Sequence, residues 1–218
     1  MRTIVRIISC ATTLLALLAA TAQVRADIIF SNFGPGDTYQ DVNGPFIGGF
    51  TGITFDTGHA FTPRGSSFSL DGIELAANLI SGPNELDVWL TSDAGGVPGI
   101  IIESWHLSGE MGPYPLINPA LGVSSISHPV LLEDVQYWVV GLATSDTLAI
   151  WNENSIGQFG AIAQRADGGP WNRFFFLEGA FRVTGTPVIV PEPSTLFLLV
   201  VGAVSTGAFG RRRGLKLI

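Results

Sequence analysis

The sequence between residues 27 and 190 contains no lysine and no cysteine. Its four arginines stand against seventeen aspartates and glutamates, which gives this stretch a formal charge of −13. Such a surface repels nucleic acid and anionic lipid, because both bind through basic patches. We therefore expect no nucleic-acid partner. Without cysteine the stretch forms no disulfide, so its stability depends on packing, with a bound metal ion as a further means.

The sequence also lacks the common catalytic motifs. Three histidines, His59, His106 and His128, lie far apart without the spacing of a zinc site. There is no G-x-S-x-G elbow, no Ser-x-x-Lys pair and no phosphate-binding glycine loop. The carboxylates show no distinctive pair, although two at a suitable separation are enough for a glycosidase. We therefore predict a protein that is not an enzyme, and a secreted polysaccharide hydrolase is the less favoured alternative.

Residues 1–26 have the organisation of a secretory signal peptide, predicted as a signal helix. Arg2 and Arg6 form a basic start, an apolar segment follows, and Val24-Arg25-Ala26 resembles a cleavage site. We expect the Sec translocon to export the chain and signal peptidase to leave Asp27 as the new N-terminus. The alternative is a signal anchor that stays attached.

The segment 194–218 combines an apolar run with a basic end. Residues 195–209 carry no charge, and as a helix they span about 22 Å, short of the ~30 Å hydrocarbon core. Arg211, Arg212 and Arg213 follow, and the positive-inside rule places them in the cytoplasm. We predict a marginal transmembrane helix that anchors the chain transiently in the inner membrane. A permanent anchor and a buried core helix are the alternatives.

Pro191-Glu192-Pro193 stands directly before that segment. The two prolines keep the backbone extended, as a processing enzyme requires of its substrate. The triplet, the apolar run and the basic stop together resemble the PEP-CTERM sorting tail of exported and surface proteins in many Gram-negative bacteria. The resemblance implies processing by an exosortase, a membrane protease or transpeptidase. It also implies a final place in the cell envelope, on the outer surface or in the extracellular matrix.

The sequence between the two ends predicts one β domain over residues 27–184, followed by a linker over residues 185–193. The stretch is rich in glycine, β-branched and aromatic residues, and it shows short alternating runs without a long helical period. We predict a jelly-roll-like antiparallel β-sandwich of about nine or ten strands.

Several strands are predicted individually. The clearest hairpin joins residues 86–90 to residues 100–107 through the loop 93–99. Residues 137–142 are continuously apolar, which is typical of a strand covered on both faces. Single strands are also predicted at 47–55, interrupted by glycines, at 124–132, and at 174–183, where the last strand is expected to close the sheet beside residues 28–30.

Four segments resemble the choice-of-anchor β-sandwich domains, whose relatives are attached to different surface anchors. They are Asn32-Phe33-Gly34-Pro35-Gly36, Ala60-Phe61-Thr62-Pro63, the 93–99 loop and the pair Tyr137-Trp138. The resemblance implies a sandwich displayed on a surface. It implies no particular activity.

Three aspartates are candidate calcium ligands. Asp37 with Asp41, and Asp93 with nearby carbonyls, lie in predicted loops, and Ca²⁺ prefers such oxygen ligands. No EF-hand or nonapeptide repeat is present. We therefore expect ordinary solvated carboxylates, with no metal and no cofactor, and calcium binding is the alternative.

Four tryptophans are candidates for stacking on sugar rings: Trp89, Trp105, Trp151 and Trp171. Trp89 and Trp105 are expected to lie exposed across the predicted hairpin. The alternative is that the tryptophans fill the core. The preferred function is thus a structural or adhesive exported domain, and a carbohydrate-binding module that contacts exopolysaccharide is the alternative.

Overall fold

The computed structural model describes residues 26–188, which fold into strands, turns and loops without a helix. The prediction of an all-β fold is therefore confirmed. Nothing helical within these residues is long and apolar enough to cross a membrane. The fifteen strands are β1 (Asp27–Ser31), β2 (Phe46–Phe50), β3 (Ile53–Phe61), β4 (Phe68–Leu75), β5 (Ala77–Ser81), β6 (Glu85–Asp93), β7 (Pro98–Ser108), β8 (Gly112–Pro113), β9 (Leu121–Ser124), β10 (Val130–Leu131), β11 (Tyr137–Leu142), β12 (Leu148–Trp151), β13 (Phe159–Ala166), β14 (Asn172–Leu177) and β15 (Phe181–Pro187).

The strands form two sheets. The smaller sheet has five strands in the order β1-β15-β4-β10, and β9 pairs with another part of β4. The larger sheet has ten strands in the order β7-β6-β11-β3-β2-β12-β5-β8, and the hairpin β13–β14 joins it through β3. The pairing of β5 with the two-residue β8 is parallel, whereas the long pairings are antiparallel.

The main hydrophobic core lies between the two sheets. Leu70 and Leu75 of β4 belong to one buried cluster with Val88 of β6 and Val139 of β11, and Phe181 of β15 is fully buried in the same cluster. Each such side chain stabilises the fold by about 1.5–3 kcal/mol relative to full exposure. The cysteine-free domain therefore has the packed interior that it needs.

A second buried cluster lies on the opposite face of the larger sheet. Trp138 and Val140 of β11 are fully buried there, beside Ala60 and Ala163. Successive residues of β11 are thus covered on both faces of the sheet. The prediction for residues 137–142 is confirmed.

The strongest predicted hairpin is also confirmed. β6 and β7 pair antiparallel from Glu85 opposite Ser108 to Asp93 opposite Pro98. The first and last described strands, β1 and β15, pair side by side, as predicted for the closure of the sheet.

Residues 47–55 form a hairpin instead of the predicted single interrupted strand. Thr51 and Gly52 both have positive φ, at 52° and 82°. Two such residues in succession form the tight turn that matches the twist of a β-hairpin. The glycine-rich sequence therefore reverses the chain between β2 and β3.

Residues 124–132 are not one strand, so this prediction was wrong. The Glu103 carboxylate accepts hydrogen bonds from the backbone N–H groups of Ile126 and Ser127 and from Ser125 Oγ, at 2.6–3.0 Å. These bonds hold the backbone in a turn between β9 and β10. A carboxylate more than twenty residues away thus overrides the local strand pattern.

Two further strand predictions need correction. Residues 174–183 include parts of β14 and β15, which belong to different sheets, and the described residues contain fifteen strands rather than nine or ten. β15 also continues to Pro187, past the predicted domain boundary at residue 184. The two-sheet arrangement agrees with a β-sandwich, whereas the jelly-roll assignment stays a prediction. The predicted signal helix and C-terminal helix lie outside the described residues.

Candidate functional site

An open cleft lies where β3 ends, β13 begins and the chain leaves β14. Its volume is about 350 Å³, within the range of small-ligand pockets. Its walls combine aromatic, amide and charged side chains, including Phe61, Arg64, Gln136, Gln158, Phe159 and Glu178. Such walls suit a ligand that has both apolar faces and hydrogen-bonding edges.

Glu178 reaches the cleft on a segment that a buried asparagine holds in place. Asn154 Nδ2 donates to the carbonyl oxygens of Gln158 and Glu178, each at 2.8 Å. Asn154 Oδ1 accepts from the Gln158 N–H at 2.8 Å. These bonds join the segment before β13 to the segment after β14. As a result, Gln158 Nε2 donates to Glu178 Oε2 at 3.1 Å.

The carboxyl group of Glu178 is almost removed from water, since the residue is only 2% exposed. Burial raises the pKa of Glu178 to about 7, and the hydrogen bond from Gln158 Nε2 opposes this rise only in part. Near pH 7 the group therefore exists in both forms, and its protonated form donates a hydrogen bond as well as accepting one. Gly160 leaves the necessary space, because a Cβ atom there would overlap Glu178 Oε1.

The residue after Glu178 contacts a buried histidine. Gly179 N donates to His59 Nδ1 at 3.3 Å, and the His59 ring lies edge-on to Trp151 at 4.5 Å between centroids. Burial lowers the pKa of His59 to about 3, so the ring is neutral. A methyl group at position 179 would overlap Trp151 Cδ1 and approach His59 Nε2 to 2.8 Å. Glycine is therefore required at this position.

Gln136 connects the cleft to the predicted calcium ligand Asp93. Asp93 Oδ1 accepts from Gln136 Nε2 at 2.7 Å and from Trp138 Nε1 at 2.8 Å. The backbone N–H groups of Gly95 and Gly96 also donate to this carboxylate, at 3.0–3.1 Å. Burial raises the pKa of Asp93, but these hydrogen bonds outweigh it and lower the pKa below its ordinary value. The Asp93 carboxylate thus already accepts hydrogen bonds from four residues of the protein. These bonds fix the conformation of the β6–β7 loop.

Asp37 and Asp41, the other predicted calcium ligands, lie in the segment between β1 and β2. Asp37 forms an ion pair with Arg182, which also contacts Glu74 at 2.9 Å. Within residues 26–188 no three His, Cys, Asp or Glu side chains are grouped to hold a metal ion. The absence of a cofactor stays a prediction, and calcium binding stays its alternative.

The structure does not bring the four predicted stacking tryptophans to one surface. Trp151 is fully buried in the main core, where Nε1 donates to the Ala180 carbonyl at 3.0 Å. It cannot stack on a surface glycan, so the prediction was wrong for this residue. Trp105 packs against the same core and donates to the Ser124 carbonyl at 2.8 Å.

Trp89 and Trp171 lie on the opposite face of the larger sheet. Both pack against the second buried cluster, and the Arg165 guanidinium lies 4.6 Å from the Trp171 ring centroid. Trp105 is opposite Val88 in the register, so Trp89 and Trp105 point to different faces of the hairpin. The predicted exposed pair across the hairpin is therefore not formed.

Sequence reasoning missed Glu178, Gln158 and Gln136 as residues of the cleft. A usable signal for Glu178 was its place between the apolar run 174–177 and the segment Gly179-Ala180-Phe181. A carboxylate inside such a run is a candidate for burial and a raised pKa. The two glutamines carry no comparable local signal, since their neighbours in the cleft come from distant strands.

Comparison with known proteins supports the prediction for the C-terminal region. A model described as the PEP-CTERM protein-sorting motif matches residues 190–213. This range includes Pro191-Glu192-Pro193 and Arg211, Arg212 and Arg213, and it lies outside the described residues. The chain therefore carries a protein-sorting signal of exported proteins.

Similarity over the rest of the chain is slight. No curated protein sequence matches it. The crystal structure of the cysteine protease and lectin-like domains of Cwp84, a surface layer associated protein of Clostridium difficile, aligns with a TM-score of 0.39 at 14% identity. The alignment covers 62% of this chain and 33% of that one, so the chain spans about a third of that structure. A likeness this low carries no functional argument.

Proposed function

We propose that the protein is an exported, exosortase-processed component of the cell surface or extracellular matrix, with a non-enzymatic structural or adhesive β-sandwich. The observation that carries the proposal is the PEP-CTERM protein-sorting motif at residues 190–213. It follows a packed, cysteine-free β body. The choice-of-anchor resemblance supports the same function.

The proposed route uses both ends of the chain. The Sec translocon exports the protein, and signal peptidase cleaves after Ala26. The apolar segment 195–209 then holds the chain in the inner membrane, with the three arginines in the cytoplasm. Exosortase acts at Pro191-Glu192-Pro193 on the exported side and releases the β body to the surface.

The test is to replace Pro191, Glu192 and Pro193 together by alanine. The expected result is an exported protein that keeps its tail, seen as a mass larger than that of the processed form. Pro187→Ala, just upstream of the motif, is the matched control and should be processed normally. Normal processing of the triple variant would count against the proposal.

A second candidate function, saccharide binding, is favoured by the cleft at Glu178. A sugar ring presents apolar C–H faces to an aromatic ring such as Phe159 and hydroxyl edges to carboxyl and amide groups. Glu178 is the only carboxylate among the described residues that line this cleft. Glycoside hydrolysis ordinarily needs two carboxyl groups, so the cleft favours binding over hydrolysis.

Glycan-array binding of the exported protein tests this second function. If the array detects a bound saccharide, Phe159→Ala should weaken its binding by about ten-fold or more, because the substitution removes the aromatic ring on which the sugar would stack. Ile126→Ala, on the exposed turn between β9 and β10, leaves the cleft lining intact and should bind as the unaltered protein does. Equal binding by Phe159→Ala and the unaltered protein would place the ligand elsewhere.

A further inference from the structure

The edge strand β14 exposes three consecutive phenylalanines. Within residues 26–188 it pairs with β13 alone, in a register without a bulge. Phe174, Phe175 and Phe176 are 52%, 74% and 58% exposed. Natural edge strands usually carry lysine, proline, a bulge or a cover that prevents pairing with another chain. β14 contains no lysine or proline, and its single charged residue, Arg173, lies near its start with its side chain close to Gly96. Among the described residues no strand pairs with its free edge.

Both faces of this edge carry exposed phenylalanine. On one face Phe174 and Phe176 border a shallow groove of about 330 Å³, together with Pro45 and Ile162. On the other face Phe175 stacks on Phe159, with 6.4 Å between ring centroids. A strand added to β14 would therefore find aromatic neighbours above and below the sheet.

We propose that β14 pairs with β14 of a second copy of this chain, antiparallel and about a two-fold axis. Side chains directly opposite each other must point to the same face of a sheet. For two identical antiparallel strands, this requires an even sum of the paired residue numbers. The pairing centred on Phe175 meets this condition and places Phe175 opposite itself and Phe174 opposite Phe176. Every phenylalanine of the strand then has a phenylalanine partner.

The apolar area is sufficient for a weak dimer. Phe159 is also 55% exposed. Added to the exposed fractions of Phe174, Phe175 and Phe176, this equals about two and a half fully exposed phenylalanine side chains per copy. At roughly 200 Å² per ring, two copies would bury about 1,000 Å². That value is at the lower end of specific interfaces. We therefore expect a reversible dimer that depends on protein concentration.

Charge sets the expected response to salt. The β body has a formal charge of −13, so two copies repel each other at low ionic strength. Salt screens this repulsion without weakening the aromatic contact. The dissociation constant of the dimer should therefore fall as salt is added. For an association through ion pairs it would rise instead.

Cysteine cross-linking of the exported protein tests the proposed register. Only Cys10 is present, and signal-peptide removal discards it, so Phe175→Cys introduces a unique thiol. Directly opposite residues are about 4.5–5.5 Å apart, which suits a disulfide. Mild oxidation should give a covalent dimer of Phe175→Cys. Phe174→Cys and Phe176→Cys should cross-link much faster when mixed than when separate.

The control for cross-linking is Ile126→Cys, because Ile126 is 83% exposed on the turn between β9 and β10. It should stay monomeric under the same oxidation. In sedimentation velocity, Phe175→Lys should raise the dissociation constant of the dimer by about ten-fold or more, and Ile126→Lys should not. Equal cross-linking of Phe175→Cys and Ile126→Cys would overturn the proposal. A protein that stays monomeric at every concentration would also overturn it.

This inference deepens the proposed structural function and rests on it only in requiring an exported, processed protein. The mass of each sample reports processing separately from association. A correctly processed monomer therefore overturns the dimer and leaves the sorting proposal intact. An unprocessed chain would contradict the sorting proposal instead.

Discussion

At the scale of single residues, Gly179 links two buried ionisable groups: it follows Glu178 in the chain and its N–H donates to His59. Burial raises the pKa of Glu178 to about 7 and lowers the pKa of His59 to about 3. Both groups therefore prefer their neutral forms. Below pH 6.5 folding opposes the protonation of His59, and above pH 4.5 it opposes the ionisation of Glu178. The combined contribution of Glu178 and His59 to the stability of the fold is therefore greatest between pH 4.5 and pH 6.5.

Glu178→Gln should stabilise the protein at high pH. The unfolded chain ionises Glu178 above about pH 4.5, whereas the folded chain keeps it neutral until about pH 7. Its stabilising contribution is therefore complete below pH 4.5 and is lost as the pH rises through 7. The loss amounts to about 2–3 kcal/mol. Thermal unfolding at pH 8 should show the variant melting roughly 5–10 °C above the unaltered protein.

At pH 4.5 the two proteins should melt at similar temperatures, because both side chains are then largely uncharged. Glu110→Gln is the control, since Glu110 is exposed on the loop after β7. It should melt like the unaltered protein at both pH values. Identical melting of Glu178→Gln and the unaltered protein at pH 8 would show that the Glu178 carboxyl is not buried as described.

At the scale of elements, side chains distant in sequence decide which strands form. The β6–β7 hairpin and the apolar β11 were predictable, because alternation in one and a continuous apolar run in the other are local signals. The turn at residues 125–128 was not, because Glu103 on β7 holds it. The cleft was also not predictable, since Asn154 joins Gln158 and Glu178 only after the strands assemble.

Asp93→Ala should destabilise the β6–β7 loop and the second cluster. The substitution leaves Trp138 Nε1 without its acceptor, and Trp138 is fully buried. An unsatisfied buried donor and the lost charge-assisted bonds cost about 2–4 kcal/mol. Urea unfolding at pH 7 should show this loss. The deficit should shrink in acid, because the stabilisation from Asp93 is present above its ordinary pKa and is lost as pH falls through its lowered pKa.

Asp146→Ala is the matched control, because Asp146 is an exposed turn residue. Its free energy of unfolding should change by less than about 0.5 kcal/mol. A similar small change for Asp93→Ala would contradict the role assigned to this carboxylate. A large loss of stability on adding a chelator to the unaltered protein would instead favour the calcium prediction.

At the scale of the whole molecule, the acidic body and the basic ends have separate tasks. Three of the four arginines in the body are in ion pairs, at Asp134, Asp56 and Asp37. The body therefore presents an acidic exterior, and we expect it to repel nucleic acid and anionic lipid. The basic residues outside residues 27–190 flank the apolar segments of the sequence, and we propose that they set the orientation in the membrane. We propose this division from the charge distribution and the sorting motif.

The most direct test of that claim is the intact mass of the protein recovered from the surface or medium of the producing cells. We expect a chain that begins at Asp27 and lacks the segment after the Pro-Glu-Pro motif. Recovery from the cytoplasm of a chain that retains both Met1 and Ile218, with none outside the cell, would contradict it.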